Sequence, residues 1–216
     1  MWAFTSRGTA RRGRAVVLAA ALVAYSATVG LQWPGRRHPV VQAALGTALA
    51  ASSCARLGLR GNTLRSGIRY GVASAAVVSS AVAISTAITP VRRAMVARTL
   101  PEPAWRWLAV EIPLGTVWSE ETAYRGALAT TAAHAFGPAR GRLLQALAFG
   151  LSHIVDARGA GEPLAGTVLV TGAAGWVFGW LAERSGSIIA PFLAHLAANE
   201  AGALAALVVQ RRVTSD

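Results

Sequence analysis

The sequence predicts an all-α fold: a polytopic membrane helix bundle of about seven or eight transmembrane helices, forming a single integral-membrane domain over residues 1–216. Three observations carry that prediction. Apolar residues gather into runs of bilayer length, with 54% of the chain hydrophobic and only 14% charged, and a mean hydropathy of +0.45. That is more apolar than a soluble domain of this length. The basic residues gather between the runs. The first three runs hold no acidic residue, whereas the later ones carry Glu, His and Asn.

The formal net charge of +12 raises nucleic acid as a partner. All 21 basic residues are arginine, however, and they flank apolar runs instead of lining one face. Membrane flanking accounts for them, so the expected partner is the lipid bilayer and no nucleic acid is expected. A lysine-free chain rich in alanine, glycine and arginine is associated with GC-rich bacterial genomes, which gives the expected location: a bacterial plasma membrane, crossed several times. The single cysteine, Cys54, has no partner for a disulfide and reads as a small packing residue.

A bilayer core of about 30 Å takes about 20 apolar residues per helix. Ala15 to Trp33 is the first such run, preceded by Arg7, Arg11, Arg12 and Arg14. It is longer than the apolar part of a signal peptide and lacks a clear small-x-small cleavage site, so it reads as a retained first helix. Val40 to Leu59 and Tyr70 to Val91 follow, with the break "WPGRRHP" at Trp33 to Pro39 between the first two runs. These make up an N-terminal group of helices within 15–91.

The basic connector Arg92 to Arg106 leads into a motif-bearing core at about 105–209. Trp105 to Phe136 is too long for one straight span, and Pro113 and Gly115 are natural break points. Leu143 to Val155 is a short run that extends back to Ala139, and Leu164 to Glu183 and Ser187 to Val209 complete the set. Within Leu164 to Glu183, Gly175-x-x-x-Gly179 reads as internal helix packing ahead of dimerisation. The arginines divide almost evenly between the two sides of such a bundle, so they do not orient it.

Three short pieces of the core carry the chemistry: "EETAYR" from Glu120, "FGLSH" from Phe149 and "HLAAN" from His195. Glu121 and Arg125 stand four apart, one helical turn, and can pair, which lowers the cost of holding both charges at membrane depth. Glu120 is rotated by about 100° from that pair and is free to point elsewhere. Phe149 and His153 share the same spacing, as do His195 and Asn199. A carboxylate beside an imidazole in a partly dry cavity is a water activator, and two hydrogen-bonding groups one turn apart can hold an oxyanion. Glu111 and Glu200 also lie in or beside apolar runs and read as interfacial or supporting groups.

Together these residues resemble the CPBP intramembrane proteases, which include the eukaryotic CAAX prenyl endopeptidases and bacterial proteins linked to bacteriocin processing or immunity. The family pattern is EExxxR, then FxxxH, then HxxxN or HxxxD, on separate membrane helices. Glu120, Glu121 and Arg125, then Phe149 and His153, then His195 and Asn199 match it in that order over about the second half of the chain. The resemblance implies an endopeptidase acting on a membrane-associated protein or peptide. It implies that Glu120 and His153 activate water, that His195 and Asn199 stabilise the oxyanion, and that Glu121 with Arg125 supports the site; Phe149 is expected as a cavity wall. Glu120, His153 and His195 are also candidate zinc ligands, and metal-dependent and metal-free mechanisms both stay open. The rival readings are a non-catalytic immunity or assembly factor of the same fold, and a proton-coupled transporter. The second lacks the paired broken helices that transporter halves show.

Overall fold

Proline and glycine set most of the helix boundaries. The computed structural model describes residues 2–28 and 38–215, and among them there is no strand. The helix α1, Trp2–Ala27, begins ahead of the first apolar run and takes in its basic leader. Most of the "WPGRRHP" break lies outside the described residues. The helix α2, Pro39–Ser52, opens with proline in its first turn, where the missing N–H has no helical acceptor to lose.

The apolar run of α2 continues to Leu59, but the helix stops at Ser52. Cys54 takes a left-handed φ of 52°, and the Ala55 N–H donates to the Ala50 carbonyl at 3.0 Å. This is the six-to-one closure that ends a helix. Apolar composition could not show it.

The helix α3, Gly61–Ser85, starts inside the preceding arginine-rich stretch. It ends before Val91, and the expected connector is partly helical, since α4 spans Thr89–Ala97. Next comes α5, a continuous rod over residues 104–136. The break expected at Pro113 does not occur. Residues Trp107–Trp118 and Glu121–Leu128 form wide π-type turns, and Pro113 lies inside the first. A shifted hydrogen-bond ladder absorbs the donor that proline lacks.

Gly137, at a left-handed φ of 83°, turns the chain into α6, Pro138–Ser152. The short α7, Ile154–Ala160, follows directly, so His153 sits at a helix junction instead of inside a longer span. The last two helices are α8, Leu164–Ser185, and α9, Ile189–Ser215, joined at Gly186. Among the described residues three helices, α3, α8 and most of α9, are long and apolar enough to cross a membrane.

Glycine contacts define how the helices lie. Gly115 faces Pro39 and Gly126 faces Ala50, so α2 and α5 run in the same direction. A Cβ on Gly175 would meet Phe149 Cδ1 at 2.9 Å, and one on Gly179 would meet Gln145 Oε1 at 2.8 Å. The helices α6 and α8 therefore cross closely and antiparallel, and the Gly175-x-x-x-Gly179 pair serves packing within the chain. Gly67 against Ser187 and Gly71 against Leu193 hold α3 and α9 parallel. The main apolar cluster joins Tyr124 and Leu128 of α5, Phe149 of α6, Phe178 and Leu181 of α8 and Ala194 of α9 to Ala19 of α1. This junction of five helices positions the polar residues.

Candidate active site

Glu121 and Arg125 are both fully buried on α5, with Arg125 Nη1 3.1 Å from Glu121 Oε1. Such a pair persists at that depth only if each charge finds further partners. Arg125 finds aromatic faces: its guanidinium carbon lies 4.1 Å from the Phe149 ring centre and 5.0 Å from that of Phe178. Glu121 finds His195, whose Nδ1 is 2.8 Å from the same carboxylate oxygen. A carboxylate accepts only, so Nδ1 is the donor.

The His195 ring is stacked on Phe178 at 5.0 Å and 24° and meets Phe149 edge-on at 5.8 Å. Its other nitrogen, Nε2, lies 3.8 Å from Glu120 Oε2. His195 thus stands between the two glutamates. Sequence spacing pairs Glu121 with Arg125, and the family resemblance gives Glu120 to His153; no ion pair joins Glu120 to His153.

Glu120 and His153 meet instead across a shared space. Both line a cavity of about 590 Å³ bounded by α1, α2, α5 and the α6–α7 junction. Glu120 keeps a 30% exposed side chain, while its Oε2 is buried and makes no hydrogen bond. His153 Nδ1 lies 2.7 Å from the Phe149 carbonyl. A carbonyl can only accept, so Nδ1 carries the proton in that bond, and the neutral ring keeps its lone pair on Nε2. Phe149, 4.8 Å from the His153 ring, backs both imidazoles.

His195 and Asn199 do not line this cavity. His195 is 6% exposed, and Asn199 Nδ2 donates to the His195 carbonyl at 3.1 Å. Glu111 pairs with Arg106 at 3.2 Å near the start of α5. Their i,i+5 spacing suits wide turns. Glu200 lies in α9 and makes no ion pair among the described residues.

Sequence reasoning passed over several residues that the fold brings in. Tyr124, Ser152 and Asp156 line the cavity beside Glu120 and His153. Asp156 stands three residues after His153, a spacing that offered a signal. The remaining wall comes from Leu18, Leu22 and Tyr25 of α1 and Gln42 and Leu45 of α2. Of these, only Gln42, an amide inside an apolar run, stood out in the sequence. Phe178 gave no signal beyond being aromatic among glycines.

As to metal, no group of three or more His, Cys, Asp or Glu side chains converges among the described residues. The Nδ1 bonds of His195 to Glu121 and of His153 to the Phe149 carbonyl leave Nε2 of each ring as the nitrogen a metal would take.

Fold and site together define a helical membrane protein with a buried ionic cluster beside a half-open cavity. Residues 101–201 match the family model for type II CAAX prenyl endopeptidase Rce1-like proteins. This segment is similar to that family, and the three motifs lie within it. That family implies CAAX-type intramembrane protease activity in general, a membrane setting and a membrane-associated substrate. No curated protein and no solved structure matches the chain.

Proposed function

We infer that the protein is an intramembrane endopeptidase that hydrolyses a peptide bond of a membrane-associated protein or peptide in the cavity between α1, α2, α5 and the α6–α7 junction. The observation that carries this reading is the shared cavity. It is lined by a carboxylate with an unbonded oxygen, Glu120, and by an imidazole whose Nδ1 bond leaves Nε2 as the base, His153. A water held between them would lose a proton to Glu120 or His153 as it attacked the carbonyl carbon, and that proton would pass to the leaving amine.

In this proposal His195 and Asn199 serve the oxyanion. His195 Nε2 lies toward Glu120, and since Nδ1 already donates to Glu121, Nε2 would donate to an oxyanion there only as the doubly protonated imidazolium. Asn199 spends one N–H on the His195 carbonyl and retains another. Glu121 and Arg125 hold His195 and Phe149 in place.

The chain is further proposed to act as one domain crossing a bacterial plasma membrane seven times. The glycine contacts agree with alternating spans for the pairs they relate, α2 parallel to α5, α3 parallel to α9 and α6 antiparallel to α8. Purified protein in detergent should cleave a peptide or membrane-protein substrate, and Glu120→Ala should abolish cleavage while leaving the thermal midpoint unchanged. Membrane proteomes with and without that change, compared for new protein termini, would name the substrate. A variant that cuts as fast as wild type would sink the assignment of Glu120.

A further inference from the structure

A second cavity, of about 900 Å³, lies away from the site, where the C-terminal ends of α3 and α9 meet α4. The two long helices are tightly joined at their other ends through Gly67 and Gly71, and α4 is clamped across the groove by Gln210. That side chain donates to the Met95 carbonyl at 2.9 Å and the Arg98 carbonyl at 2.7 Å. The floor is apolar, with Val82, Val96, Leu204 and Val208, and among the described residues no acidic one lines it. Arg92, Arg93 and Arg212 line it as well and are exposed. Among the described residues none of these three makes an ion pair.

Arginines that merely flank a membrane need no groove beneath them. Here three guanidinium groups from two helices edge a trough of apolar side chains, which matches one chemistry: a phosphate joined to a hydrocarbon chain. We propose that this groove between α3, α4 and α9 is a binding site for an anionic phospholipid, with the headgroup phosphate on Arg92, Arg93 and Arg212 and an acyl chain along Val82, Leu204 and Val208. A lipid there ties α4 to the end of α9.

The test reconstitutes the full chain in phosphatidylcholine nanodiscs with a minor fraction of phosphatidylglycerol, then reads the lipid retained in detergent by native mass spectrometry. Wild type should retain phosphatidylglycerol over phosphatidylcholine, and the triple variant Arg92→Gln/Arg93→Gln/Arg212→Gln should retain at least about tenfold less. Val208→Trp, which fills the trough without changing its charge, should also lose the lipid. Arg11→Gln/Arg12→Gln in α1 should keep it. The charged side chains are exposed, so thermal midpoints should match wild type. Equal retention by the triple variant would overturn the site. Full retention by Val208→Trp, or displacement by glycerol phosphate as readily as by added phosphatidylglycerol, would overturn the lipid and leave only a phosphate patch.

Discussion

The helices α3 and α5 show two ways for a chain to meet an apolar surrounding. In α3 the most apolar stretch is only 11% buried inside the protein, and Val72 and Val77 point outward, 57% and 70% exposed. Such a helix needs no partner for its side chains, because lipid suits them. In α5 the whole segment Glu121–Leu128 is buried, and it includes a carboxylate and a guanidinium. Those charges are tolerable only because Arg125, His195, Phe149 and Phe178 enclose them. Apolar helices in this molecule can face outward, while charged ones must be surrounded by protein, and the surrounded region holds the chemistry.

The largest effect that would sharpen this contrast is on catalysis. Glu120→Gln keeps the side-chain volume and removes the base, so kcat/KM should fall by about 10²–10⁴-fold, with the thermal midpoint unmoved. Retained activity would break the link between the enclosed region and the reaction.

Next comes the stability of the enclosed charges. Arg125→Met leaves Glu121 buried without its cation and should destabilise the fold by about 3–5 kcal/mol in a denaturant titration. Adding Glu121→Gln should recover part of that loss, which a simple packing defect would not allow.

A smaller effect is expected at the crossing of α6 and α8. Gly175→Val would force methyl groups against Phe149, whose Cδ1 lies only 2.9 Å from a Cβ placed there, at a cost of about 1–3 kcal/mol. Because Phe149 backs both imidazoles, activity should fall along with the thermal midpoint. The smallest effect belongs to α3: Val77→Leu, on the outward face, should change stability by no more than about 0.5 kcal/mol. A large loss there would mean that α3 is covered by protein and would erase the contrast.

Much of this division was legible in the chain. Apolar runs located the helices, and the four-residue spacing of Glu121 and Arg125 located an ion pair that the fold contains at 3.1 Å. Helix ends were harder to read, because they depend on backbone conformation. Cys54 ends α2 in the middle of an apolar run, and the wide turns of α5 carry the chain past Pro113 without a break. The partner of Glu120 was harder still, since spacing along one helix says nothing of which imidazole on another helix approaches it.

The sequence by itself determined the helical class, the membrane setting and the pairing of Glu121 with Arg125, because hydropathy and helical period are local properties written residue by residue. Only the tertiary structure decided that His195 stands between the two glutamates, that His153 faces Glu120 across a cavity, and that α1 and α2 supply the cavity's apolar wall. Those facts depend on the rotation and depth of each helix against its neighbours. Close glycine crossings such as Gly175 on Phe149 set these, and no single segment encodes them.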